Sequence, residues 1–198
     1  MLKKLFIAST LLLLTACNDP FDGVLSVKQP MNVLSNKKAV YVPAGDSSAR
    51  LEFASKTKIN LTLEAAGKKT KLVLETPNKL NFPEDGNFSF TAAELNQNFG
   101  ATGGVARTVT MGDTVRGYEQ CQYQRPETVC YPAGNHGEVQ CRTEYRTVWG
   151  QQYVEYNDRT THQYLTVNFV SPAGALYAAF TGNRSYSERI YRVQDRCW

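Results

Sequence analysis

The sequence has 198 residues, of which 42% are hydrophobic and 20% are charged, and its formal net charge is +4. This composition is typical of a globular chain, and the length fits one large or two small domains. The small charge argues against whole-molecule attraction to nucleic acid, and the hydropathy pattern excludes a polytopic membrane protein or a helical repeat array.

The first residues have the pattern of a signal peptide. A short basic start, Met1-Leu2-Lys3-Lys4, precedes an apolar run at residues 5–14. A helix of that length spans about 15 Å, half of a bilayer's hydrocarbon core. The run therefore predicts a cleaved leader over residues 1–16 and no membrane span. Without the leader, the formal charge falls to +2.

The end of this leader resembles the lipobox of bacterial lipoproteins. The tetrapeptide is Leu14-Thr15-Ala16-Cys17, and the resemblance covers only residues 1–17. It implies that the Cys17 thiol carries a diacylglyceryl group and that the chain is cut just before it and acylated. Asn18, in place of Asp, resembles lipoproteins sent to the outer membrane. We therefore expect a lipid-anchored outer-membrane protein whose residues 17–23 are the lipidated cysteine and a short tether.

Residues 24–99 are predicted to form the first module. Polar and apolar residues alternate over 58–64 and 69–75, and residues 66–68 between them predict a hairpin turn. Thr91-Ala92-Ala93-Glu94 matches a capping box and predicts one short helix. Further strands are predicted at 24–27, 39–42, 50–54 and 87–90. Short strands with one apolar face predict a small antiparallel β-sandwich.

The chemistry of the chain changes near residue 106. Between Cys17 and Ala106 there are nine Lys and one Arg, whereas from Arg107 onward there are ten Arg and no Lys. Ten of the eleven tyrosines also follow this point. Residues 100–105 are rich in glycine, so they predict a linker between the first module and a second module at 106–198.

The second module is also predicted to be nearly all β. Residues 139–149 alternate strictly, which predicts a strand in a sheet with one wet side. The wet side carries Gln140, Arg142, Glu144 and Arg146. The opposite side carries Val139, Cys141, Thr143, Tyr145, Thr147 and Trp149. Further strands are predicted at 161–170, 176–181 and 186–194, with a hairpin turn at 133–137.

Four cysteines remain after Cys17, namely Cys121, Cys130, Cys141 and Cys197. An even number in an exported chain predicts two disulfides, with three connectivities open. We favour pairing in chain order, Cys121 with Cys130 and Cys141 with Cys197. Their spacing lacks the close pair that zinc sites usually contain, so we expect no metal, and no cofactor motif is present.

Arginine and tyrosine are enriched in the second module, and both residue types are common in interfaces. Arg142, Arg146, Tyr153, Tyr156 and Arg159 are predicted to line one exposed sheet face that meets a protein or a glycan. The alternative is that tyrosines serve as strand formers and that arginines cover a wet face.

The resulting expectation is an all-β protein of two small antiparallel, sandwich-like modules, the second of which is stapled by disulfides. Its expected role is non-catalytic binding of an envelope protein or glycan, for example as a hydrolase inhibitor. The competing hypothesis is a hydrolase of wall or glycan polymers, which needs two carboxylates, such as Glu144 and Glu155, about 5–10 Å apart. A third hypothesis is that the protein is a structural component that associates with itself.

Overall fold

The computed structural model describes residues 19–133 and 138–198. The predicted leader, the predicted lipidation site Cys17 and most of the predicted turn at 133–137 lie outside these ranges. No helix in the described ranges is long and apolar enough to cross a membrane.

Ten strands and one short helix account for the regular structure of the described residues. They are β1 (Phe21–Val27), β2 (Met31–Ser35), β3 (Lys38–Val42), β4 (Gly45–Ser55), β5 (Lys58–Ala65), β6 (Lys68–Glu75), β7 (Gly86–Phe90), α1 (Ala92–Leu95), β8 (Gly100–Ala133), β9 (Glu138–Val170) and β10 (Leu176–Gln194).

Eight of the strands form one antiparallel sheet in the order β6-β5-β4-β1-β10-β9-β8-β7, and β2 and β3 form a second, two-stranded sheet. The predicted all-β class, with two disulfides in the C-terminal region, is therefore confirmed.

The structure confirms the hairpin and the short helix that were predicted for the first half of the chain. The predicted hairpin is β5–β6, and Leu61 lies opposite Leu72. Ala66 and Gly67 have φ angles of 49° and 74°, which are typical of a tight turn. Helix α1 has the predicted capping box: the Thr91 N–H donates to Glu94 at 2.8 Å, and this bond keeps the pKa of Glu94 below its usual value.

The chain divides into two compact units. Unit 1 comprises residues up to 106 and Gln163–Arg184, and unit 2 comprises Arg107–His162 and Ser185–Trp198. The boundary after residue 106 coincides with the change from lysine to arginine. However, the predicted second module at 106–198 is not one continuous segment, because 163–184 belongs to unit 1. Strands β8, β9 and β10 each contribute to both units.

Unit 1 contains the hydrophobic core. Phe180 and Leu72 are completely buried, and Phe99 meets Phe169 edge to face with ring centroids 5.6 Å apart. Phe21 is only 1% exposed, and it begins β1. The predicted tether at 17–23 is therefore too long, because its last three residues belong to the folded sheet.

The predicted linker at 100–105 is not a linker in this structure. It forms the start of β8, where Ala101 pairs with Phe90 and Val105 pairs with Gly86. A Cβ atom at Gly103 would fall well inside the van der Waals distance of the Thr166 carbonyl oxygen. Glycine is needed here because two strands approach closely, and its flexibility is not used.

Candidate functional site

Unit 2 is a three-stranded sheet made of β8 residues 107–133, β9 residues 138–162 and β10 residues 185–194. Three side-chain contacts join β8 to β9, and the two residue numbers have the same sum in each of them. The register between these strands is therefore constant, with no bulge between the contacts. The three pairs are Tyr118–Tyr153, Gln124–Thr147 and Cys130–Cys141.

Among the described residues, this sheet has no hydrophobic core of its own. All buried residues of the core cluster lie in unit 1, and the buried residues described in unit 2 are Val154, Asn157 and Thr161. Ion pairs join its strands instead. They include Arg116–Glu155, Arg146–Glu127, Arg159–Glu188 and Arg189–Glu119. Exposed pairs of this kind contribute little each, so the backbone ladders and the disulfides carry most of the stabilisation.

The disulfides connect Cys121 with Cys197 and Cys130 with Cys141. The favoured chain-order pairing is wrong. Cys121 and Cys130 lie on the same strand, about 30 Å apart at ~3.3 Å per residue, whereas a disulfide needs Cα atoms within about 7 Å. Cys141 instead faces Cys130 across the hairpin.

The Cys121–Cys197 disulfide fixes the last residues of the chain along β9. Trp198 and Gln151 exchange two backbone hydrogen bonds of 2.9 and 3.1 Å, and the Asp195 N–H donates to the Tyr153 carbonyl at 2.9 Å. A Cβ atom at Gly150 would lie 2.9 Å from both the Trp198 carbonyl carbon and the Tyr123 ring. The absence of a side chain at Gly150 therefore lets this last segment lie close to the strand.

One face of the unit 2 sheet carries a row of exposed aromatic rings, which we call the aromatic face. Tyr145 and Trp149 are both 69% exposed and Tyr118 is 64% exposed. Tyr118 meets Tyr153 edge to face at 5.6 Å, and odd-numbered residues of β9 share one face because side chains alternate along a strand. The aromatic face is defined by Tyr118, Tyr145, Trp149 and Tyr153.

The opposite face carries an arginine sandwiched between aromatic and acidic groups. The Arg189 guanidinium lies 4.5 Å from the centre of the Tyr156 ring and 2.6 Å from a Glu119 carboxylate oxygen. The Tyr191 hydroxyl donates to the same carboxylate at 3.0 Å, and its ring lies 5.6 Å from that of Tyr156. These groups satisfy one another, so together they form a closed polar network on this face.

A second cluster lies at the hairpin end of the sheet. The Tyr131 hydroxyl donates to Glu144 at 2.6 Å, and Arg142 pairs with the same carboxylate at 2.7 Å. These bonds, first that from Tyr131 and then that from Arg142, hold the pKa of Glu144 below its usual value. The same bond to Glu144 raises the pKa of Tyr131, because ionising the phenol would place two negative charges together.

Glu144→Gln is expected to lower the pKa of Tyr131 toward the ordinary tyrosine value of about 10. In the wild type, the cluster should also loosen as the pH falls through the lowered pKa of Glu144, because protonation removes the acceptor. NMR titration of Tyr131, identified by the signal that is lost in Tyr131→Phe, measures the first effect. An unchanged Tyr131 pKa in Glu144→Gln would contradict the assigned contact.

The five predicted partner-binding residues do not share one face. Arg142, Arg146 and Tyr156 alternate onto the face opposite the aromatic face, whereas Tyr153 and Arg159 belong to the aromatic face. Each of the five is already engaged inside the sheet. The contacts are Arg142–Glu144, Arg146–Glu127, Tyr153–Glu155, Tyr156–Tyr191 and Arg159–Glu188.

The exposed aromatic residues of β9 lie on the side that the sequence pattern did not assign to solvent. Tyr145 and Trp149 were expected on the side of the strand opposite the wet face, but nothing in the described ranges covers them. The signal that could have found them is the composition of unit 2, which has no Leu or Phe and a single Ile, Ile190, where a second layer would need many such residues.

The arrangement gives little support to a hydrolase. Glu144 and Glu155 lie on the same strand, about 36 Å apart at ~3.3 Å per residue, which is far beyond the spacing of a carboxylate pair. His162 Nδ1 lies 2.7 Å from the Ser185 hydroxyl, but no carboxylate in the described ranges hydrogen-bonds to that ring. His136 lies outside the described residues.

No family model, curated protein or solved structure matches this chain. In the described ranges, no group of three or more His, Cys, Asp or Glu side chains is placed to hold a metal ion.

Proposed function

We propose that this protein is a non-catalytic binding protein of the bacterial cell envelope, anchored by lipid at Cys17, and that its aromatic face binds a protein or glycan partner. The observation that supports the binding role is the row of exposed rings at Tyr118, Tyr145 and Trp149. Large exposed apolar groups arranged in a row are a feature of interaction sites, whereas isolated ones are common on any surface.

The chemistry of this face suits a flat, uncharged or mixed-charge partner. Tyrosine and tryptophan provide rigid contact area with a polar edge, and they dominate the energetics of many interfaces. Unit 2 contains nine arginines and nine acidic residues, so it has no net charge that would select a strongly charged partner. A glycan ring that stacks on Trp149, or a partner's apolar surface, satisfies these conditions.

The proposed anchor would hold unit 1 near the membrane. Only residues 18–20 separate Cys17 from Phe21, which is already buried in the core of unit 1. Four residue steps span at most about 14 Å when extended. A partner captured by this protein would therefore be one that is itself present in the envelope.

The test is affinity capture from the cell's own envelope extract, with the processed, oxidised chain as bait and mass spectrometry of the retained material. Affinity for the isolated partner is then measured for Trp149→Ala. We expect the dissociation constant to rise by roughly thirtyfold or more, as for other interface tryptophans. Tyr41→Ala is the matched control, because Tyr41 is a 64% exposed aromatic residue of unit 1.

A second variant separates the two faces of the sheet. Arg142→Ala with Arg146→Ala alters only the face opposite Trp149, so it should leave the affinity within about twofold of wild type, as expected away from an interface. Loss of binding in this double variant, with Trp149→Ala unaffected, would assign the partner to the arginine-bearing face and contradict the proposal. Failure of a folded bait to retain any specific component would also contradict it.

A further inference from the structure

Strand β8 has an unpaired edge of unusual length. On the side away from β9, it pairs with β7 only from Ala101 to Val105. From residue 107 to residue 133, no strand in the described ranges pairs with that side. This edge is several times longer than a typical strand of about 5–6 residues. Unpaired edges are templates for adding another strand.

The direction of the free backbone groups follows from the register. The Cα atoms of Cys130 and Cys141 are 4.0 Å apart, a separation typical of the antiparallel pairs whose own N–H and C=O groups point away from each other. Cys130 therefore points its backbone groups toward the free edge. Because the pattern repeats every two residues, the even-numbered residues of β8 point the same way.

Two independent observations agree with this assignment. The backbone groups of Gln151 and Tyr153 bond to the last residues of the chain, so odd-numbered residues of β9 point away from β8. Both prolines of β8, Pro126 and Pro132, occupy even positions, where a missing N–H breaks no bond to β9.

The part of the edge at residues 107–122 has only part of the usual protection against strand addition. It carries charges at Arg107, Asp113, Arg116 and Glu119, but it contains no proline and no lysine, and five of its residues are threonine or valine. Val109, Met111 and Val115 are exposed at positions that alternate onto one face. A strand that pairs here would complete the backbone hydrogen bonds and place its own side chains beside these three.

We infer that the occupant of this edge is the same edge of a second copy of the chain, paired antiparallel about a twofold axis at Gly117. In that register no like charges face each other, because Arg116 lies opposite the second copy's Tyr118 and Asp113 lies opposite its Cys121. Even positions oppose even positions, as the hydrogen bonds require.

The neighbouring register centred on Arg116 is less favourable, because it places that arginine opposite itself and Asp113 opposite Glu119. At Gly117, a Cβ atom would have no neighbour within 4 Å, so the face of the sheet at the proposed axis is uncovered. The pairing uses the edge of unit 2, so it does not depend on the partner proposed for the aromatic face.

The test is the oligomeric state of the full, processed and oxidised chain, measured by sedimentation equilibrium across micromolar concentrations. We expect a monomer–dimer equilibrium. Gln120→Pro removes an edge-facing N–H from each copy and should weaken dimerisation by roughly tenfold to a hundredfold, because the loss acts twice across a twofold axis. Gln120→Ala removes the same side chain but keeps the N–H, so its association should match that of wild type.

Hydrogen exchange on the wild-type chain provides a second readout that needs no variant. Amides at even positions from 108 to 124 should become protected as the concentration rises through the dimerisation range, whereas those of unit 1 should not change. A wild-type chain that stays monomeric would overturn the inference. So would equal dimerisation by Gln120→Pro and Gln120→Ala, or open-ended assembly, which a closed twofold pairing does not allow.

Discussion

Replacing both Cys121 and Cys197 by serine is expected to destabilise unit 2 by about 4.5 kcal/mol in the chain-entropy model, because this disulfide closes a loop with a sequence separation of 76. The Cys130–Cys141 disulfide has a separation of only 11, for which the same model gives about 2.8 kcal/mol. The described part of unit 2 has no hydrophobic core that could compensate for either loss. The longer disulfide is therefore expected to decide whether unit 2 stays folded.

Hydrogen exchange resolved along the chain measures this effect. In Cys121→Ser with Cys197→Ser, the amides of Asp195 and Trp198 should lose their protection first, followed by those of β9 that pair with them. The core of unit 1, at residues such as Leu72 and Phe180, should keep its protection. Replacing Cys130 and Cys141 is the matched control with the smaller loop. Equal loss of protection in both units would show that they unfold together and that the disulfide does not act on unit 2 alone.

Much of unit 1 could be predicted because its signals are local. The alternation at 58–64 and 69–75 gave the β5–β6 hairpin, and the capping box at Thr91 gave α1. In both cases the residues that determine the structure are a few positions apart in the chain. The pattern therefore contains the information that the fold uses.

The error at residues 100–105 arose because glycine has two structural uses that look the same in sequence. A flexible linker and a close strand contact both need a residue without a side chain. The atom that decides between them is the carbonyl oxygen of Thr166, which is distant in sequence from Gly103. The disulfide pairing failed for a related reason, because it depends on which strands the cysteines occupy.

The aromatic face shows a different limit of periodicity. Alternation over 139–149 identified correctly which residues share a side of β9, but it does not say whether anything covers that side. Covering requires a second layer, and whether the chain has one is a property of the whole unit. A strand with aromatic side chains on one side has the same sequence alternation whether that side faces a core or a partner.

Gly103→Ala is expected to destabilise unit 1 by about 3 kcal/mol, at the upper end of the usual range for overpacking. The new Cβ would overlap the Thr166 carbonyl oxygen, which is backbone and cannot rotate away, and it would lie 2.8 Å from the Phe88 ring. Gly117→Ala is the matched control on the same strand, because its Cβ would meet nothing within 4 Å. With fewer conformations in the unfolded chain, that variant should be neutral or more stable by roughly 0.5 kcal/mol.

Thermal or urea unfolding, at protein concentrations low enough to keep association out of the measurement, compares the two variants. If residues 100–105 were a flexible linker, alanine would be tolerated equally at Gly103 and at Gly117. A large loss at Gly103 alone would instead show that β8 and β9 are held together at this point. Glycine would then be required at position 103 because the β8 and β9 backbones approach closely there. Its flexibility as a linker residue would not be the reason.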